Sequence, residues 1–257
     1  MNRSRYIGDR RFYRLALAVA VPIMIQNGIT NFVSMLDNIM VGRLGTVEMT
    51  GVSIGNSLIF VFNLAVFGAV SGAGIFGAQF FGKGDTDGVR YAFRYKVLEG
   101  ILLLALGCGI FLGFGRPLIR LFLQGEGDVT DIEGSLHFGW RYVKIMLIGL
   151  PAFVLVQCYA GSLRETGQTV LPMAAGLVSV GVNFVFNWLL IFGKLGFPRL
   201  GSDGAAIATV LSRYVEAGIV MIATHRRADR YPFIRGAWRS LRIPRKLAGE
   251  IRRRACL

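Results

Sequence analysis

Charged residues are scarce in this chain. They make up 17% of its 257 positions, against about a quarter in an ordinary soluble domain, which excludes a conventional water-soluble fold. Proline is also rare at 7 residues beside 34 glycines, so the chain is neither collagen-like nor a disordered Pro-rich tract. Three cysteines provide no disulfide framework: Cys108 and Cys158 fall inside apolar runs, and Cys256 is next to last. No zinc spacing appears, and Cys256 is too near the end for a prenylation box. The two histidines, His137 and His225, fall in different links between apolar runs. No Ser-His-Asp set and no P-loop is present, and Gly82-Lys83-Gly84 is too short to cradle phosphate. The expectation is a protein that is not an enzyme, carries no cofactor and no metal, and is not a self-contained ATP-driven pump.

What the chain has is apolar length. It is 53% hydrophobic with a mean hydropathy of +0.53. Six runs are each long enough to cross a bilayer core, which takes about 20 residues. They are expected at Leu15–Met40, Ser53–Phe81, Val97–Phe122, Phe138–Leu163, Val170–Phe192 and Gly204–Thr224. Arg10, Arg11 and Arg14 ahead of Leu15–Ile25 mimic a signal peptide, but the apolar character continues to Met40 and favours an uncleaved first helix. The fold class is therefore all-α: a polytopic membrane protein with a short segment 1–14, a six-helix lobe 15–224 and a basic tail 225–257. Abundant glycine suits helices that approach closely in lipid.

The net charge of +14 raises the question of nucleic acid, which needs a basic face on a soluble fold; none fits these runs, so no nucleic-acid partner is expected. The basic residues lie instead in alternate links. Arg3, Arg5, Arg10, Arg11 and Arg14 precede helix one; Lys83, Arg90, Arg94 and Lys96 follow helix two; arginines from Arg226 to Arg254 crowd the tail. The positive-inside rule then places both termini in the cytoplasm of a multi-pass protein of the cell inner membrane. The acidic link Glu126, Asp128, Asp131, Glu133 falls outside. Segment 83–96 mixes aromatic and basic residues and is expected to form a short interfacial helix at the lipid headgroups, and Tyr231, Phe233 and Trp238 suggest the same for the tail.

Polar residues inside a membrane mark helix contacts or water-filled space. In helix one, Gln26, Asn27, Thr30, Asn31, Ser34, Asp37 and Asn38 fall within about 140° of arc, opposite Ile25 and Leu36. Such a stripe fits a cavity wall; interhelical hydrogen bonding is the alternative. Asp37 is its only carboxylate and a candidate proton carrier if held away from water; a hydrated place at the helix end is the other reading. Asn183 and Asn187 form an i, i+4 pair in helix five. Asn56 and Asn63 are expected to lock helices together. Arg213 and Glu216 in helix six are expected to pair, and Glu99 is expected at the interface. Pro22 and Pro151 can kink helices one and four.

Four stretches together resemble the multidrug and toxic compound extrusion (MATE) family: SMLDNIMVGRLG at Ser34–Gly45, RETGQTVLPM at Arg164–Met173, NFVFNWLLIFG at Asn183–Gly193 and FPRLGSDGAAIAT at Phe197–Thr209. The resemblance covers nearly the whole chain and implies the first lobe of a twelve-helix transporter with two six-helix lobes. Such proteins export cationic, amphipathic drugs and metabolites in exchange for protons or sodium. It implies a coupling-ion role for Asp37, supported by Asn183 and Asn187, with Gln26, Asn27, Thr30, Asn31 and Ser34 lining the cavity and Pro22 bending helix one. Asn187 stands where some proton-coupled members carry a second Asp. The partners implied are membrane lipid, a small cationic or amphipathic substrate, and either a missing second lobe or another copy of the chain. A fragment is favoured over a dimer because natural lobes are diverged. The alternatives are a lipid-linked saccharide flippase of the same superfamily, disfavoured because Arg213 is the one clearly intramembrane arginine; an inactive truncated fragment; and a membrane scaffold, which would not need the stripe.

Overall fold

A computed structural model describes residues 10–123 and 129–244. In the first helix only some side chains are described. The side chains of Pro22, Asn27, Thr30, Asn31, Ser34 and Asp37 lie outside the described set, as do residues 1–9, Glu126, Asp128 and the tail beyond Pro244.

Six long helices follow one another: α1 (Arg10–Gly42), α2 (Thr46–Gly82), α3 (Thr86–Phe122), α4 (Val129–Glu165), α5 (Val170–Phe192) and α6 (Ser202–Arg226). No strand occurs among the described residues. The helices α2 to α6 are each long and apolar enough to cross a membrane. The 33 residues of α1 correspond to roughly 50 Å of helix, also more than a bilayer core needs. The chain is an all-α, multi-pass membrane bundle, as the composition implies.

Short links force alternation. Lys83 and Gly84 turn the chain, and Asp85 caps α3 by accepting a hydrogen bond from Gly88 N at 2.9 Å. Gly193, at φ 65°, closes α5 in the left-handed conformation. The odd-numbered helices therefore run one way and the even-numbered ones the other. In this arrangement α4 is central, packing against α2, α3 and α6; α5 pairs with α6, and α1 rests mainly on α5. The apolar core includes Ile59, Phe62, Val66, Val143, Met146 and Leu150. Leu102, Leu112, Phe114 and Ile148 point outward and are more than half exposed, the inverse of a soluble fold and the expected lipid face.

Glycine sets the closest approach. At the α2–α4 crossing a Cβ on Gly51 would strike the Ser135 carbonyl, and one on Gly139 would lie 2.8 Å from the Gly51 carbonyl. Backbones meet where side chains are missing.

Several expectations from the sequence need correction. The residues 83–96 form no separate interfacial helix: from Thr86 they are the first turns of α3. Lys96 and Arg94, counted above as surface charge, are buried. Glu99 lies roughly 20 Å along α3 from its start rather than at its mouth. His137 and His225 lie in α4 and α6, not in links, and Asp131 begins α4. The described part of the tail packs on the protein. Residues 227–244 fold back onto α3 and α4, with Tyr231, Phe233, Ile234 and Ala237 buried. Phe93 anchors them, its ring 5.9 Å from Phe233 and 6.2 Å from Trp238.

Candidate functional site

A cavity of about 830 Å³ opens within the bundle. Its wall is mixed: the amides Asn38, Asn56 and Asn63 and the hydroxyl of Thr209 alternate with Phe60, Phe122 and Phe153, and Arg213 borders it from α6. Asn56 belongs to a helix lock, as expected, accepting from Tyr142 Oη at 2.8 Å. Asn63 turns one buried oxygen toward no hydrogen-bonding partner, so its expected helix-locking role is not seen through that atom.

A polar ladder joins α5 to α6 beside this space. Asn187 Nδ2 donates to Asn183 Oδ1 at 3.1 Å, Asn183 Nδ2 donates to Thr209 Oγ1 at 3.2 Å, and Thr209 Oγ1 donates to the Ala205 carbonyl at 3.0 Å. Both asparagines are buried. The i, i+4 spacing thus delivers one amide to the other and the second to the neighbouring helix. Since Thr209 also lines the cavity, the ladder reaches the open space.

Gln26 fixes the register of α1. Its side chain covers Gly176 on α5, where a Cβ would collide with Gln26 Nε2, and its Oε1 accepts from Arg164 Nη2 at 3.2 Å. Gln26 is therefore between helices at an arginine. Further along α1, Asn38 is a cavity wall.

Buried charge is more extensive than the sequence suggested. Arg164, at the end of α4, joins Arg213 as a second arginine turned into the bundle. Arg213 and Glu216 do not form the expected ion pair: the guanidinium of Arg213 lies over the Phe153 ring, 4.8 Å from its centroid. Glu216 instead interacts electrostatically with both arginines and hydrogen-bonds with Ser179. A second cluster sits at the same end of α4, where Lys96 contacts Glu165 and Ser162. Neither Arg164 nor Lys96 was recognisable as buried, because each follows or precedes an apolar run where a surface charge is the ordinary occupant.

Spanning helices that line a cavity with amides, a hydroxyl and an arginine, and bury further charge between them, define a multi-pass membrane protein with a polar interior of the kind transporters have. The MatE family model matches residues 22–189. The probable multidrug resistance protein NorM of Thermotoga maritima is 30% identical over 217 residues, which are 83% of this chain and 44% of that protein. Its namesake from Halalkalibacterium halodurans is 31% identical over 217 residues, 81% of this chain and 44% of that protein. A solved structure described as MATE in the bent conformation shares the fold with a TM-score of 0.77 at 22% identity, covering 95% of this chain and 52% of that one.

This chain belongs to the MatE family. It spans about half the length of the curated relatives it matches, as one six-helix lobe does.

Proposed function

We propose that the chain is the N-terminal lobe of an antiporter that extrudes cationic or amphipathic drugs and toxic metabolites in exchange for protons or sodium. The observation that carries this reading is the cavity between α1, α2, α4 and α6, whose mixed wall includes Thr209, where the Asn183–Thr209 ladder ends. The relatives named for multidrug resistance support the direction and cargo of transport. Asp37 is the coupling residue in this reading, with Asn183 and Asn187 to steady a bound ion. Gln26, Asn27, Thr30, Asn31 and Ser34 extend the polar wall along α1, and Pro22 gives α1 a place to bend. The second lobe, or a second copy, completes the substrate path, and both termini face the cytoplasm.

The test is efflux of a fluorescent cationic dye from cells stripped of their own pumps, with this chain expressed alone and together with a second six-helix lobe. Asp37→Asn is expected to stop efflux while leaving membrane insertion intact. Undiminished efflux by the inserted variant would remove Asp37 from the coupling role. A membrane-impermeant reagent reacting from outside the cell with a tag placed at either terminus would reverse the orientation.

A further inference from the structure

The segment after α6 has two different faces. Tyr231, Phe233, Ile234 and Ala237 turn inward, whereas Arg226, Arg227, Arg230, Arg235, Arg239 and Arg242 are all exposed. One acid, Asp229, accompanies them and pairs with Arg235. Arg239 and Arg242 take part in no ion pair among the described residues. The last three arginines decorate a fixed turn. Gly236, at φ 72°, reverses the chain, Arg239 N donates to the Gly236 carbonyl at 3.2 Å, and Arg242 N donates to Ser240 Oγ at 3.1 Å. On the inner side Arg94 holds the carbonyls of Gly236, Ala237 and Arg242. Among the exposed arginines, Trp238 and Leu241 leave apolar surface uncovered.

The turn sits at a definite depth. The first exposed large apolar residue of α3 is Leu98 and the last are Leu121 and Phe122, a band of about 35 Å that matches a hydrocarbon core and its margin. Arg94 precedes Leu98 by one helical turn, about 6 Å, so the turn it holds lies in the headgroup layer. Helix α6 gives the same level: Ile222 is its last exposed large apolar residue, and Arg226 follows about 6 Å later. At this depth an exposed Trp and Leu reach the acyl boundary, and guanidinium forks match phosphate oxygens in charge and geometry. We propose that the turn 235–242 is a docking site for the headgroup of an anionic phospholipid, with Arg239 and Arg242 on the phosphate and Trp238 and Leu241 against the chains. The sequence suggested that Tyr231 and Phe233 would meet lipid; they are buried, and these four residues take that place. The inference is independent of the cargo and the coupling ion proposed above.

The test uses the full chain in phosphatidylcholine nanodiscs that carry a trace of phosphatidylglycerol or phosphatidylcholine with a dansyl group on one acyl chain. Energy transfer from tryptophan reads lipid near the turn, because Trp238 is at this end of the bundle while Trp140, near the start of α4, and Trp188, near the end of α5, are at the other. The wild type is expected to favour the labelled phosphatidylglycerol about tenfold, the scale of one or two arginines at a membrane surface. Arg239→Gln combined with Arg242→Gln is expected to abolish the preference. Arg116→Gln combined with Arg120→Gln removes equal charge from the other end of α3 and is expected to leave it. Arg94→Lys combined with Gly236→Val keeps the net charge but loosens the turn, and is expected to lose most of the preference. Equal association of the two lipids with the wild type, or a preference that survives the loss of Arg239 and Arg242, would overturn the site. An equal loss on removing Arg116 and Arg120, or a full preference in the loosened turn, would overturn it by reducing it to diffuse charge. Displacement of the labelled phosphatidylglycerol by glycerol phosphate or a polyglutamate peptide, as readily as by the unlabelled lipid, would make the turn a free-phosphate or protein site and overturn the lipid assignment.

Discussion

Lys96 on α3 donates to the carboxylate of Glu165 on α4, with Nζ 2.6 Å from Oε1 and 3.0 Å from Ser162 Oγ. Lys96 is fully buried, and the carboxylate lies where a Cβ on Gly74 or Gly77 would collide with it. Two glycines of α2 thus open the space that an acid of α4 fills, and a lysine of α3 neutralises it. Three helices are joined at one point by charge.

Removing one partner leaves the other charged and unpaired in a low-dielectric interior. Lys96→Met or Glu165→Gln is expected to destabilise the purified protein by about 3–5 kcal/mol, whereas the double variant recovers much of that loss. Thermal unfolding in detergent by tryptophan fluorescence measures both. Equal losses in the single and double variants would show that the two groups act separately.

Arg94 ties the tail to the lobe. Its Nε donates to the Ala237 carbonyl at 2.9 Å, Nη2 to Gly236 at 2.7 Å and Nη1 to Arg242 at 3.2 Å. Trp238 Nε1 adds a bond to Tyr159 Oη at 2.8 Å. Three carbonyls in a fan suit a guanidinium and not an ammonium. Arg94→Lys is therefore expected to release the segment 227–244 almost as fully as Arg94→Ala. Trypsin cleavage after Arg235 or Arg239 should quicken by about tenfold or more in both, since hydrogen bonds to a charged donor are lost from the closed state. Unchanged cleavage would mean that the buried Phe233 and Ile234 hold the tail without Arg94.

The α2–α4 crossing depends on having no side chain at two positions. Gly51→Val is expected to push the helices apart, because the nearest atoms are backbone of α4 and cannot swing away. Gly109 on α3 has open space around its Cβ direction, so Gly109→Ala should be tolerated and even gain helix stability of up to about 1 kcal/mol. Yield of folded protein by size-exclusion chromatography compares the two. Loss of both variants would point to insertion and not to packing.

Local patterns were legible and long-range ones were not. The apolar run for α5 has the same ends in sequence and structure, Val170–Phe192, because Gly193 stops the helix on its own terms. The Asn183–Asn187 pair could be read from its spacing alone, since both residues share one helix. By contrast α3 begins well before its apolar run, and the basic-aromatic turns from Thr86 remain helical because the tail and α4 cover them. Nothing local marks Lys96 as buried; its partner is 69 residues away on another helix. The same holds for Arg94, whose acceptors are carbonyls of a segment that has no helical pattern. Charge counting assigns such residues to the membrane surface, and only tertiary structure reveals that they have partners.

The Asn183–Thr209 hydrogen bond separates a structural role from a transport role by magnitude. Interhelical hydrogen bonds in membrane bundles average about 0.6 kcal/mol, so Thr209→Val, which keeps the shape and removes the hydroxyl, should lower thermal stability only slightly. If the ladder steadies a coupling ion, the same variant removes an oxygen that lines the cavity and leaves Asn183 Nδ2 without this acceptor. Dye efflux in cells should then fall by about tenfold or more, far beyond what the small stability change predicts. Efflux that declines only in proportion to the amount of folded protein would reduce the ladder to a helix contact. Thr209→Ser, which restores the hydroxyl, should recover efflux, and that recovery ties the loss to the oxygen and not to the methyl group.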